Sequence, residues 1–145
     1  KQVIHDIGVG CLLHDIGLRY TTLDYEGKSM EDMNPEALAE YKKHPVYGYT
    51  SVKDEEWISD EVKKIILYHH ERLDGTGYPF GKTAVELNTQ ERMMACIDIY
   101  QALTESRPYK QGMSHEKACE ILWDMAKKGW LDEVIVKQVE DCFRG

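Results

Sequence analysis

Residues 68–79 read YHHERLDGTGYP. The stretch joins the end of an apolar helical run, with Val62, Ile65, Ile66 and His69 at helical spacing, to a loop holding Asp74, Gly75, Gly77, Tyr78 and Pro79. Imidazoles are the commonest metal-binding side chains, and here His69 and His70 stand side by side. Glu71 and Arg72 follow at once, and the glycines beyond them let a backbone come close to a ligand. The stretch reads as the mouth of a metal site. That reading depends on whether other segments supply matching ligands.

Working outward, every neighbouring segment is helical in pattern. Lys1 to about Gly17 reads as a helix ending in CLLHDIG, with Gly17 placed to stop it. It is already apolar at Val3, Ile4, Ile7, Cys11 and Leu12, so the chain reads as an N-terminally truncated fragment of a longer one. Residues 20–33 are polar without a period. Asn34-Pro35-Glu36 then supplies an N-cap, a proline at the first helical position and an acid in the first turn. That helix carries Leu38, Tyr41 and Lys42 toward His44, where Pro45 predicts a break before a short second helix over 46–52.

Ser59 or Asp60 opens the helix that ends at His69. Beyond the loop, which runs to about Leu87, Asn88 and Glu91 form a capping-box pattern. The helix they open runs through about Thr104 and is apolar at Met93, Met94, Ile97, Ile99, Tyr100 and Leu103. Ser114 caps a further helix ended by Gly129, and residues 131–143 form a last amphipathic one. No segment alternates apolar and polar for long between turn signals, so the expected fold is a single all-α domain over 1–145.

Composition narrows the function. With 145 residues, 42% hydrophobic and 30% charged, the chain is of globular class. A net charge of −8 argues against a long nucleic acid as partner, since binding one takes a cationic surface. A small phosphate ligand stays open if metal ions and a few cations hold it. No apolar run approaches the roughly 18 residues of a membrane span, and no charged leader precedes an apolar one. The four cysteines, Cys11, Cys96, Cys119 and Cys142, lack zinc-finger spacing and read as free thiols, mostly buried, in a reducing cytosol.

Three further signals match the opening stretch. His14-Asp15 lies inside the apolar run LLHDIG, where an unpaired carboxylate costs several kcal/mol. Such a pair either braces helix ends or frames a metal. Asp98 is the one acid inside the most apolar helix, and His44 precedes Pro45. Together His14, Asp15, His44, His69, His70 and Asp98 form a set of imidazoles and carboxylates that suits two divalent metals sharing one carboxylate.

In order, these blocks are HD at 14–15, HP at 44–45, HHE-x-x-DG-x-GYP over 69–79 and D-x-Y-x-ALT-x-x-RPYK over 98–110. The series resembles the HD-GYP domain, a branch of the HD phosphohydrolase superfamily, from about Cys11 to Lys110. The resemblance implies a compact helical HD-domain bundle, here lacking its N-terminal helices. It implies that Asp15 bridges two metals, that His14 and Asp98 complete the first, and that His44, His69 and His70 hold the second. The metals would be two or three divalent transition ions, with Fe or Mn foremost, and the catalytic centre Asp15, His69 and His70. Asp74, Gly75, Gly77, Tyr78 and Pro79 would border the nucleotide, and Arg107 and Lys110 would contact its phosphates.

The implied activity is hydrolysis of cyclic di-GMP, or a related cyclic dinucleotide, to the linear dinucleotide or GMP in bacterial second-messenger signalling in the cytoplasm. An upstream sensory or receiver domain and a dimer go with it, without membrane contact by this domain. Two positions depart from the family pattern. Leu18 stands where a lysine is usual, and Gln101 where a second acid is usual. They motivate an alternative, a catalytically degenerate module that acts as a cyclic dinucleotide receptor or protein-interaction domain. The family's upstream histidine has no match, because His5 lies too near His14 and reads as an ordinary helix residue. That ligand is expected before Lys1. Glu71 either orients an imidazole or is solvated, and Arg72 reads as a surface or loop-bracing residue rather than a substrate contact. His115 reads as exposed, and Trp57, Trp123 and Trp130 as core or interface residues.

Overall fold

Side-chain caps set where the helices begin. Asn34 Oδ1 accepts from Ala37 N at 2.7 Å, Ser59 Oγ from Val62 N at 3.2 Å, and Ser114 Oγ from Lys117 N at 3.2 Å. Asn88 and Glu91 close a reciprocal capping box, and Asp132 Oδ1 takes Val134 N at 2.9 Å. Each cap satisfies N–H groups that helix geometry leaves without a carbonyl, a contribution of about 1 kcal/mol apiece. The computed structural model describes residues 2–21, 30–106 and 110–144. Its helices are α1 (Gln2–Leu13), α2 (Pro35–Tyr41), α3 (His44–Val52), α4 (Asp60–Tyr68), α5 (Thr89–Thr104), α6 (His115–Lys127) and α7 (Glu133–Cys142). Short 3₁₀ turns occupy Ile16–Tyr20, Met30–Asp32 and Ala84–Glu86. Among the described residues there is no strand, and Asp74 and Thr83 form an isolated bridge. The fold is all-α, as the sequence predicts, and no described helix is long and apolar enough to cross a membrane.

Two apolar clusters flank the middle of the molecule. Val52, Ile58, Val62 and Ile66, joined by Val9 and Leu13, pack α1, α3 and α4 together. Cys96, Leu122, Ala126, Leu131, Ile135, Val136 and Val139 pack α5 through α7. Trp123 and Trp130 lie against the second cluster, as expected, whereas Trp57 is 74% exposed. Its indole N–H donates to Glu55 at 3.1 Å, so one apolar ring near a helix start is not enough to place it in a core. His115 is half-buried rather than exposed, because Tyr100 meets its ring at 2.9 Å. All four cysteines are free; Cys96 and Cys119 are buried, Cys11 is half-buried and Cys142 is exposed.

The main departure from the sequence expectation is at the end of α1. The helix stops at Leu13, four residues before Gly17. His14 and Asp15 form a turn, and the chain tightens into the Ile16–Tyr20 turn. Gly17 serves close packing rather than helix termination. A Cβ there would stand 1.8 Å from the His44 carbonyl oxygen and 2.6 Å from Gly48 N. Only glycine lets this turn lie against α3, and that contact brings Asp15 beside His44.

Candidate metal centre

Three of the histidines share one mounting. His14 Nδ1 lies 2.7 Å from Cys11 O, His44 Nδ1 2.7 Å from Tyr41 O, and His69 Nδ1 2.7 Å from Ile66 O. Each acceptor sits three residues back, in the last turn of α1, α2 or α4, where helix geometry leaves carbonyls without an N–H. A carbonyl only accepts, so each Nδ1 carries a proton, and each Nε2, turned the other way, offers a lone pair whenever its ring is neutral. This is the usual means of fixing tautomer and orientation in a metal-ligating histidine.

The Nε2 atoms converge on Asp15. Its Oδ2 is 3.1 Å from His14 Nε2, and its Oδ1 is 3.3 Å from His44 Nε2 and 3.5 Å from His69 Nε2. Asp98 Oδ1 reaches His14 Nε2 from α5 at 3.0 Å. The His70 ring lies 4.2 Å from that of His69 between centroids, packs edge-on to His44 at 4.9 Å, and stacks on the Tyr78 ring at 4.8 Å. Two groups result, His14–Asp15–Asp98 and Asp15–His44–His69–His70, each with ligand-type atoms within 4.8 Å of one another. The six residues singled out from the sequence thus lie together, and Asp15 belongs to both groups. His44 and His69 are fully buried, while the Asp15 side chain is 46% exposed and opens the cluster to solvent.

The electrostatics of the two groups differ. Burial disfavours a charged His14, but the hydrogen bonds its imidazolium donates to the Asp15 and Asp98 carboxylates outweigh it and push the imidazole up to about 11. Burial likewise disfavours an ionised Asp15, yet the three imidazoles around it hold its carboxyl far below the usual range. His70 is pulled well below its ordinary value, by burial first and then by His69 and His44.

The donor set fits divalent cations. His44 Nε2 and His69 Nε2 face each other at 3.3 Å, and their Nδ1–H bonds make both lone pairs in the neutral state. Positive charge is needed to relieve that contact. His70 Nε2 is buried without a hydrogen-bond partner among the described residues. Imidazoles and carboxylates together suit first-row transition metals better than calcium or magnesium.

The HD domain family's sequence profile matches residues 4–135. The chain belongs to the HD domain family. Within it the chain is of HD-GYP type, as the HHE-x-x-DG-x-GYP block and its relatives indicate. Over 116 residues it is 36% identical to cyclic di-GMP phosphodiesterase PA4108 of Pseudomonas aeruginosa, covering 80% of this chain and 28% of that protein. Over 145 aligned positions it is 31% identical to 3'3'-cGAMP-specific phosphodiesterase 1 of Vibrio cholerae, covering 92% of this chain and 31% of that one. Among solved structures, Bd1817, a HDG"Y"P protein from Bdellovibrio bacteriovorus, superposes with a TM-score of 0.77 at 26% identity. That match covers 97% of this chain and 44% of the other. The chain therefore spans about a third or less of the two curated relatives' length.

The loop beyond the histidines is folded back on them. Gly77 lies so close to the 70–72 backbone that a Cβ would meet His70 O and Arg72 N at 2.5 Å, and Tyr78 N donates to His70 O at 3.1 Å. Glu71 is 3% exposed, and its two oxygens accept from Phe80 N at 2.8 Å and Lys82 N at 2.7 Å. It neither orients an imidazole nor is solvated. Arg72 stacks on Trp130 at 3.8 Å, a loop brace as expected. Asp74 is turned to Thr76, accepting from its hydroxyl at 2.6 Å and its amide at 3.0 Å. Gly75 and Pro79 complete the loop around Gly77 and Tyr78. Lys110 donates its ammonium to the Ala102 carbonyl at the end of α5. Arg107 lies outside the described residues.

Sequence reasoning missed two contributors. Tyr41 supplies the carbonyl that fixes His44 and sets its ring 4.8 Å from that imidazole. Its only sequence signal is its place three residues before a histidine at a helix end. Glu71 as the tie of the loop has no sequence signal, since its partners are set by how the loop returns.

Proposed function

We propose that the chain is a metal-dependent phosphodiesterase that hydrolyses a cyclic dinucleotide, with cyclic di-GMP the foremost substrate. The observation that carries the proposal is the convergence of six ligand-type side chains into two groups sharing one carboxylate. His14, Asp15 and Asp98 would hold one divalent ion, and Asp15, His44, His69 and His70 the other, with Fe or Mn suited to both. Bound there, such ions would polarise a phosphodiester and supply activated water at neutral pH.

The chain's own residues hold the geometry. The three Nδ1–H bonds keep the imidazoles from rotating, so the ligands need no rearrangement when an ion arrives. Asp15, the open member of the cluster, faces the side from which substrate would approach. The loop of Asp74, Gly75, Gly77, Tyr78 and Pro79 forms a rim against His70, and Tyr78 stacked on that ring borders the nucleotide. Lys110 is a further proposed phosphate contact, and the sequence pattern assigns Arg107 the same role. The names of relatives support the substrate class, since they include phosphodiesterases of both cyclic di-GMP and 3'3'-cGAMP.

The test is turnover of each dinucleotide by protein reconstituted with Mn²⁺ or Fe²⁺, beside His69→Ala. Linear dinucleotide or GMP from the wild type, lost in the variant, is the expected result. Tight binding of a cyclic dinucleotide without product would instead establish the receptor reading.

A further inference from the structure

Most basic side chains around the cluster are already engaged. Arg92 donates to the carbonyls of Leu87 and Ala84 and to Asp132, and Arg72 covers Trp130. Lys110 is held by Ala102, and Lys43 lies 3.4 Å from Glu40. Lys42 differs. Its backbone N–H ends α2 by donating to Leu38 O at 3.0 Å, but its ammonium forms no ion pair among the described residues. Instead the Nζ sits over the Tyr78 ring, 5.4 Å from its centroid. That ring is stacked on His70, a member of the imidazole group. The flanking residues are Tyr41, whose carbonyl fixes His44, and the turn into α3.

The geometry points to Lys42 as a substrate-binding residue that donates to a phosphate oxygen of the dinucleotide at the rim of the site, an assignment resting on the phosphodiesterase reading above. A ring face attracts the ammonium by its quadrupole and uses none of its three N–H donors. The contact orders a long, flexible stem and leaves the charge free for an anion. The protein carries a net charge of −8, so an anionic substrate needs local cations to approach the site. Lys42 supplies one on the Tyr78 side.

The test compares wild type, Lys42→Met, Lys42→Arg and Lys43→Met, all metal-loaded, in cyclic di-GMP hydrolysis and in equilibrium binding of the same dinucleotide. Lys42→Met is expected to raise KM about tenfold, one charge-assisted contact, with kcat little changed. Lys42→Arg restores most of the loss, and Lys43→Met, one residue along the same exposed turn, behaves as wild type. A wild-type KM in Lys42→Met overturns the assignment, as does an equal loss in Lys43→Met, which would mark a general charge effect. If the wild type binds without hydrolysing, the phosphodiesterase reading falls alone and the same comparison on Kd decides Lys42. If it does neither, both fall.

Discussion

The two groups that share Asp15 are built by opposite means. His14–Asp15–Asp98 is carboxylate-rich and closes across 84 positions of sequence, from the end of α1 to the middle of α5. Asp15–His44–His69–His70 is imidazole-rich and comes from the α1–α4 half, whose apolar cluster buries His44 and His69 completely. The first holds a proton tightly, with His14 pushed up to about 11. In the second, His70 is pulled down, and carbonyls of α2 and α4 aim the lone pairs of its neighbours inward. The difference implies an order of filling. A cation held as proposed would meet no proton on His70 in the imidazole group, whereas at the carboxylate group it would have to displace the proton of His14.

The largest effect is expected where the groups meet. Asp15→Asn removes the one carboxylate common to both, so both ions should be lost and hydrolysis should fall by more than about a hundredfold. Metal analysis after dialysis checks this directly; two ions retained per chain would show that Asp15 is not shared.

The next effect separates the groups. Asp98→Asn and His69→Ala should each leave about one ion per chain, but with opposite pH behaviour. The sign follows from His14. Its pKa is raised on folding, so at neutral pH the ion-free protein carries that proton, and binding at the carboxylate group must release it. His69→Ala, left with that group, should therefore take up metal more weakly as pH falls from about 8 to about 6. Asp98→Asn, left with the imidazole group, should lack the part of that pH dependence that comes from the His14 proton. Titration calorimetry in buffers of different ionisation enthalpy counts the protons released. Identical profiles in the two variants would remove the distinction.

The comparison also shows what sequence reading reaches. His69, His70, His44 and Asp98 were legible because their residue types are costly where an apolar pattern puts them. The cap residues were legible because capping is local. The end of α1 was not. Leu13 is the last helical residue because the following turn is drawn onto α3 at Gly17, a contact between segments about 30 positions apart that no local pattern encodes. Glu71 escaped for the same reason, since its partners Phe80 and Lys82 come within reach only after the loop returns.

Glu71 links the imidazole group to the rim. Glu71→Gln keeps the shape but offers one acceptor oxygen for two backbone N–H groups. Losing one charge-assisted bond at a buried site should cost about 1–3 kcal/mol and lower Tm by about 2–10 °C. Metal content should stay at the wild-type level, while KM rises severalfold as Tyr78 loses its fixed place over His70. An unchanged Tm would show that Gly77 and the Tyr78–His70 backbone bond hold the loop by themselves.

The smallest effect is expected at Leu18, in the turn that follows Asp15 and packs on α3. Its carbonyl accepts from Thr21, hydroxyl at 2.8 Å and amide at 3.3 Å, and substitution leaves those backbone contacts in place. The side chain is half-buried, so a lysine can lay its stem along the turn and carry its ammonium to water at little cost in stability. If the position faces the open side of Asp15, Leu18→Lys adds a cation where an anionic substrate arrives. The gain should then be about two- to fivefold in kcat/KM at low salt and should shrink as ionic strength rises. A gain that ignores salt would point to repacking against α3. No change at all would place residue 18 off the substrate path, and would leave Lys42, over Tyr78, as the proposed cation at the rim.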